Sequence, residues 1–404
     1  MSHVVKKVPK GNGTLPKALA ESWSKIGYGM GALGLVAFLL GFFITPAAER
    51  GRFGAAYLTG FMFTTTIGVG ALFFVVIQHL TKAAWSVAPR RIMEWLSQGL
   101  TASAGLFVPI VIMSEDIWHH WMGPHAAHDP ILLKKQAYLN PTFFYVRAVI
   151  FLLTWALLAA WFYKQSRDQD VSGDRKLSAK RESAAPPAIA ALGITISFAG
   201  FDWVMSLDPH WYSTIFGVYI FAGSLVSSMA VLALCIIRLR KDNIGGDLLT
   251  VEHMHDVGKF LFGFTVFWAY IGFSQLILIY YANIPEETIW YKHRWEGGWS
   301  TISMLVFLGH FVAPFLILLS RTAKRSPTLL GLGAIIIVVM HWVDLYWLVM
   351  PNFDHHLHFQ LVDLLGVIAP VGLTLAWLAW RVLGHPVVPL KDPYVPEALK
   401  AENL

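Results

Sequence analysis

The sequence predicts an all-α integral membrane protein of about ten transmembrane helices, arranged as two four-helix bundles plus two peripheral helices, with both termini cytoplasmic. Three observations carry that expectation. The 404 residues are 56% hydrophobic and only 14% charged, against roughly 25% charged in an ordinary soluble chain. Mean hydropathy is +0.54, and apolar runs long enough to cross about 30 Å of hydrocarbon recur along the whole length. Lys and Arg are divided unequally between alternate connecting segments.

The apolar runs fall at residues 26–44, 53–78, 95–113, 142–162, 186–205, 214–237, 257–281, 298–320, 329–350 and 361–383. Backbone groups in lipid must be satisfied internally, so each run is expected to be a helix. Residues 1–25 form a polar N-terminal segment and 384–404 a tail. The Pro46-Ala47-Ala48 step after the first run is faintly like a cleavage site. The long polar leader and the length of that run argue instead for a retained first helix.

One set of connecting segments holds Lys6, Lys7, Lys10, Lys17 and Lys25, then Lys82, Arg90 and Arg91, and further basic residues through Lys400. The alternate set holds only Arg50, Arg52, Lys134, Lys135, Lys292 and Arg294, an asymmetry of roughly four to one. Under the positive-inside rule this places both termini in the cytoplasm and supports an even helix count. The pI near 9.2 is therefore explained by topology, and nucleic acid is not an expected partner. The single cysteine, Cys235, lies in an apolar run and reads as a small, inert, buried residue; one thiol builds neither a disulfide nor a cluster site.

A faint internal repeat organises the spans. Ser114-Glu115-Asp116-Ile117-Trp118 follows the third run and Glu286-Glu287-Thr288-Ile289-Trp290 the seventh. Asp202 precedes Pro209 by seven residues, and Asp344 precedes Pro351 by the same seven. Corresponding features lie four helices apart, which gives a first bundle over 53–205 and a second over 214–350. The helices at 26–44 and 361–383 are then peripheral.

Ionisable residues inside or just above the spans are costly in lipid and usually pair, line a cavity or mark a pathway. Most of them cluster on the face poor in Lys and Arg. Glu115, Asp116, His119, His120, His125 and His128 lie in or near the loop after the third span. Arg147 enters the outer third of the fourth, and Asp202 ends the fifth, followed by Asp208 and His210. Gln275 lies in the outer third of the seventh span and Asp344 in the outer part of the ninth, followed by Asp354, His355, His356, His358 and Asp363. His310 and His341 sit near mid-membrane. The loop histidines fit an interfacial role beside an aromatic belt.

Asp202, Arg147 and His120 are candidates for the polar end of a quinol-type pocket. His119, Gln275, His310, His341 and Asp344 are candidates for a proton path. A structural ion pair between Arg147 and Asp202 stands beside the pocket reading. The two deep histidines are expected to face the bundle interior without haem. His79 reads as interfacial. Residues 247–256, with His253 and His255, read as a solvated loop lacking the helical spacing of a zinc site. No metal ligand set is expected.

The run Phe201-Asp202-Trp203-Val204-Met205-Ser206-Leu207-Asp208-Pro209-His210-Trp211-Tyr212-Ser213-Thr214, followed by Phe216-Gly217-Val218-Tyr219, strongly resembles the membrane subunits of bacterial alternative complex III. That complex is a quinol:cytochrome c (or high-potential acceptor) oxidoreductase whose two large membrane subunits are similar to the NrfD and polysulfide-reductase membrane-anchor family. The chain looks like the shorter of the two, the ActF subunit family. Helix count, topology and loop sizes extend the likeness over nearly all the chain.

The resemblance implies two four-helix bundles plus flanking helices, and no cofactor bound by this chain. It implies quinol as a candidate substrate. Haem c and iron–sulfur clusters would sit in partners: an iron–sulfur protein, c-type cytochrome subunits, a sister NrfD-like subunit and small membrane subunits. It also implies a multi-pass location in the bacterial inner membrane and no activity for the subunit alone. A secondary transporter or proton-conducting protein, and a purely structural anchor, are the competing classes.

Overall fold

The computed structural model describes residues 13–46 and 49–400, the side chain of His125 excepted. Ten helices in it are long and apolar enough to cross a membrane, and no strand occurs among the described residues. They are α1 (Lys17–Ile44), α2 (Arg50–Leu80), α3 (Ala84–Ile112), α4 (Pro141–Ser172), α5 (Arg175–Leu207), α6 (Phe216–Lys241), α7 (Gly246–Ala282), α8 (Trp299–Leu318), α9 (Pro327–Asn352) and α10 (Leu361–Val382). Lys6, Lys7, Lys10, Ala47 and Ala48, and with them the cleavage-site question, lie outside the described residues.

Local chemistry sets several ends. Asn140 caps α4 by accepting from the Phe143 N–H at 2.9 Å, with Pro141 at the first helical position, where its missing N–H costs nothing. Gly173 stops the same helix at φ 66°, a left-handed conformation that costs glycine little. Ser326 followed by Pro327 repeats the opening at α9.

α2, α3, α4 and α5 pack as one ring of four helices, and α6, α7, α8 and α9 as another. The rings meet through α2 and α6, the two most enclosed spans. Small residues allow that approach: a methyl group on Gly70 of α2 would collide with the Ser224 backbone of α6. α10 lies along α2, and α1 lies along α10 through Gly27, Gly31 and Gly34. Residues 13 and 387 hydrogen-bond through their backbones, so both ends of the described chain share one face. That face carries most of the Lys and Arg.

The basic face differs from the expected rim of solvated loops. α3 begins at Ala84, so Arg90 and Arg91 lie within a helix and are almost fully buried. Arg91 binds Glu94 at 2.9 Å and Asp170 at 2.7 Å, and Arg90 binds Asp392 at 2.7 Å, tying the C-terminal segment to the first ring. The expected loop at 247–256 is also corrected. After a single 3-10 turn at Gly246–Leu248 the regular helix of α7 starts at Val251, capped by Thr250; His253 closes the cap and is buried, and Glu252 pairs with Arg325. His79, in the last turn of α2, is buried against Phe162, and Cys235 is half-buried.

Candidate functional site

The polar residues on the face poor in Lys and Arg separate into two groups, one per ring. In the first ring Arg147 and Asp202 form a two-point ion pair, with Nε to Oδ2 at 2.6 Å and Nη2 to Oδ1 at 3.1 Å. The remaining guanidinium nitrogen Nη1 donates to the Tyr138 carbonyl at 2.9 Å. The rings of Tyr138 and Phe143 cover the guanidinium at 3.9 and 4.3 Å. Asp202 is fully buried. This arrangement satisfies both charges within the protein, which a buried ion pair needs to offset its desolvation.

A cavity of about 220 Å³ lies nearby, lined by Trp121, Pro124, Leu132, Leu139 and Pro141 among others, but neither Arg147 nor Asp202 reaches its wall. His119 and His120 are exposed, lie with their rings 4.0 Å apart and tilted, and make no hydrogen bond with the pair. Burial, then the neighbouring His119, holds the His120 imidazole below its ordinary range. The structure therefore brings two of the three pocket candidates together and leaves His120 apart.

The second ring is built differently. Asp344, on α9 and buried, accepts from the Tyr219 hydroxyl of α6 at 2.5 Å. No Lys, Arg or His lies within ion-pair distance of Asp344 among the described residues. The Tyr219 ring packs on Trp268 at 5.6 Å, and Trp268 lies 4.0 Å from His310. His310 and His341 face each other at 6.1 Å inside the ring. His341 Nε2 meets the Thr66 hydroxyl of α2 at 2.8 Å, and the His341 imidazole fits where Gly223 of α6 has no side chain. Neither ring nitrogen of His310, nor Nδ1 of His341, has a hydrogen-bond partner among the described residues.

Gln275 of α7 accepts from Ser213 at 3.0 Å and donates to the Tyr291 hydroxyl at 3.3 Å. The five proton-path candidates thus split: Gln275, Asp344, His310 and His341 belong to the second ring, and His119 does not.

Two features of this ring escaped sequence reasoning. Val306–Val312 forms a π-helical stretch centred on Gly309 and His310. Pro314 has no N–H to close on the His310 carbonyl four residues earlier, so a Gly-His step ahead of a proline was the available signal. The second feature is Arg294, in the connection before α8. It is buried, donates to the carbonyls of Trp290 at 3.0 Å and Leu348 at 2.7 Å, and lies 3.5 Å over the Trp290 ring. No carboxylate lies within 4 Å of it among the described residues, and burial pushes its pKa down to about 9.

The segment from Phe201 to Tyr219 joins the two groups. Its Asp202 closes the first-ring pair, and its His210 meets Asp129 at 2.6 Å. Its Trp211 stacks on Trp290 at 4.5 Å, its Ser213 reaches Gln275, and Tyr219 holds Asp344. A third polar group at the same end ties α2 to α10: Arg52 binds Asp354 and Asp363, each at 2.7 Å, and Tyr346 donates to Asp363. His355, His356 and His358 lie at the surface of the adjoining loop. No group of three or more His, Cys, Asp or Glu able to hold a metal ion occurs among the described residues. Neither the protein-family models nor the curated proteins contain a match to this chain.

Proposed function

We propose that the chain is a cofactor-free membrane subunit of a quinol-oxidising respiratory complex of the alternative complex III type, and that its second ring carries protons toward the face poor in Lys and Arg. By the positive-inside rule that face is periplasmic in a bacterial inner membrane. Oxidising a quinol releases two protons with its two electrons. The electrons pass to iron–sulfur and haem c groups in partner subunits, and the protons need acceptors connected to water.

The observation that carries this reading is Asp344, a buried carboxylate held by the Tyr219 phenol beside the Trp268 indole and opposed by no cation. Such a group exchanges a proton more readily than a carboxylate locked to a guanidinium. His310 and His341 extend the string of exchangeable groups to mid-membrane, and Gln275 with Ser213 and Tyr291 extends it outward. The Arg147–Asp202 pair serves stability in this account, and quinol chemistry falls to the sister subunit or to their interface.

One observation favours a second reading. A pair of histidines near the midplane is where a secondary transporter or stand-alone proton conductor places its site. Purification separates the two. The complex subunit is expected to copurify with haem- and cluster-bearing proteins, seen by visible spectra and metal analysis. A stable, monodisperse chain with no redox partner would favour the transporter. Cysteines placed at His210 and His356 should react with impermeant reagents from the periplasm, and one at Lys180 only from the cytoplasm; the reverse would overturn the orientation.

A further inference from the structure

A cavity of about 980 Å³ opens between α4 and α5 on the half of the molecule nearer the basic face, with Arg381 of α10 closing one side. Its wall changes character along its length. Toward mid-membrane it is apolar, with Leu157 and Trp161 of α4 opposite Ala188 of α5; at its basic end stand Lys164, Arg167 and Arg381. From Thr154 to Arg167 an α-helix climbs about 20 Å, a little more than one leaflet of a hydrocarbon core about 30 Å thick.

The charges at the mouth are not balanced. Lys164 has Asp168 at 3.1 Å, with both side chains exposed. Arg167 and Arg381 have no carboxylate within ion-pair distance among the described residues, and Arg381 Nε is buried without a partner. The Arg167 guanidinium lies over the Tyr163 ring at 5.8 Å, and the Tyr163 hydroxyl meets His385 Nδ1 at 2.8 Å. Burial, followed by the charges of Arg167, Arg381 and Arg91, holds the His385 imidazole below its ordinary range. This is a pocket of positive potential at the level of the lipid headgroups.

We propose that this groove holds one anionic phospholipid, its phosphate on Arg167 and Arg381 and its acyl chains along the Leu157–Ala188 wall. An apolar slot one leaflet deep, opening beside α4 residues that face outward, is filled by hydrocarbon. Two unpaired guanidinium groups at its rim select an anionic head over a zwitterionic one, because a fork of N–H donors matches phosphate oxygens and gains nothing from a neighbouring choline. A bound lipid would also brace α4 against α5 at the end opposite the Arg147–Asp202 pair. The inference is independent of the proton-route proposal.

The test is native mass spectrometry of the purified full-length chain in a neutral detergent, titrated separately with dioleoyl-phosphatidylglycerol, dioleoyl-phosphatidylcholine and inorganic phosphate. One phosphatidylglycerol should be retained at least tenfold more strongly than phosphatidylcholine, and 10 mM phosphate should not displace it. The R167Q/R381Q double variant should lose the preference, whereas Lys292→Gln at the opposite face should keep it. Equal retention of the two lipids by the wild-type chain, or displacement by phosphate, would overturn the proposal without any variant. So would a photo-cross-linker at Leu157 that captures a polypeptide in membranes instead of a lipid.

Discussion

The two rings solve the same problem in opposite ways. Each carries an aspartate on a helix running toward the face poor in Lys and Arg, at the same seven-residue distance from a proline. In the first ring Asp202 is matched by Arg147 on both oxygens, with aromatic rings over the pair. In the second, Asp344 accepts from the Tyr219 hydroxyl beside the Trp268 indole and meets no cation, while the buried cation of that region, Arg294, donates to two carbonyls and lies over an indole face. A matched pair is a fixed structural element. Separated, incompletely compensated groups can change protonation without breaking the fold. The two aspartates thus differ as a matched pair differs from a carboxylate without a cation.

The comparison breaks most easily at the matched pair. Replacing Arg147 by Ala leaves Asp202 buried and unpaired, a change that costs about 3–5 kcal/mol. The expected outcome is a large fall in yield and melting temperature of the purified protein, partly recovered in the Arg147→Gln/Asp202→Asn double variant. Unchanged stability would show that the pair does not hold the ring together.

A smaller effect is expected at mid-membrane. Replacing His310 and His341 together by Gln should slow proton transfer about tenfold, less than the roughly 100-fold or more that a positioned acid–base group contributes at the reacting centre. The visible haem spectrum of the complex should be unchanged, because both imidazoles face the ring interior in contact with Trp268 and Thr66. Loss of a b-type haem signal would remove them from the relay and make them ligands.

The smallest effect is expected where the segment joining the rings meets the α3–α4 loop. The hydrogen bond from His210 holds the Asp129 carboxyl below the usual carboxylate range. A carboxylate with a depressed native pKa contributes stability that is fully present above its unfolded value near 3.9 and lost as pH falls through the native value. Protection of the 124–135 loop from hydrogen exchange should therefore fall only below about pH 4 in the wild type, and His210→Ala should lower it at neutral pH. A His210→Ala variant with unchanged protection would detach this contact from the loop's order.

The ten spans were legible because hydropathy and Lys/Arg placement are properties of the chain alone. The helices at both ends of the short loops were not. Arg90, Arg91 and His253 are polar enough to read as loop residues, yet they sit in helices: Asp170 and Asp392 meet the arginines from distant segments, while Glu94 and Thr250 pair with Arg91 and His253 from three residues away. The Arg147–Asp202 pair was legible as an alternative, since opposite charges at similar depth tend to meet. That Asp344 would find a tyrosine and no cation was not, because Tyr219 lies 125 residues away. The seven-residue spacing also hides a difference in depth. Asp202 lies one residue before Trp203, the last residue of regular α-helix in α5, whereas Asp344 lies five residues before Val349, the last in α9.

The central claim is that Asp344 moves protons and Asp202 does not. The direct measurement sets Asp344→Asn against Asp202→Asn in the intact complex reconstituted into vesicles, reading quinol oxidation and proton release per assembled complex. Asn keeps the shape and one acceptor oxygen at both sites but cannot take up a proton. Asp344→Asn should lower coupled turnover about 100-fold with assembly intact. Asp202→Asn should reduce the amount of assembled complex while each assembled complex turns over normally. The opposite pattern, with normal turnover at Asp344→Asn and its loss at Asp202→Asn, would contradict the account and return the chemistry to the first ring.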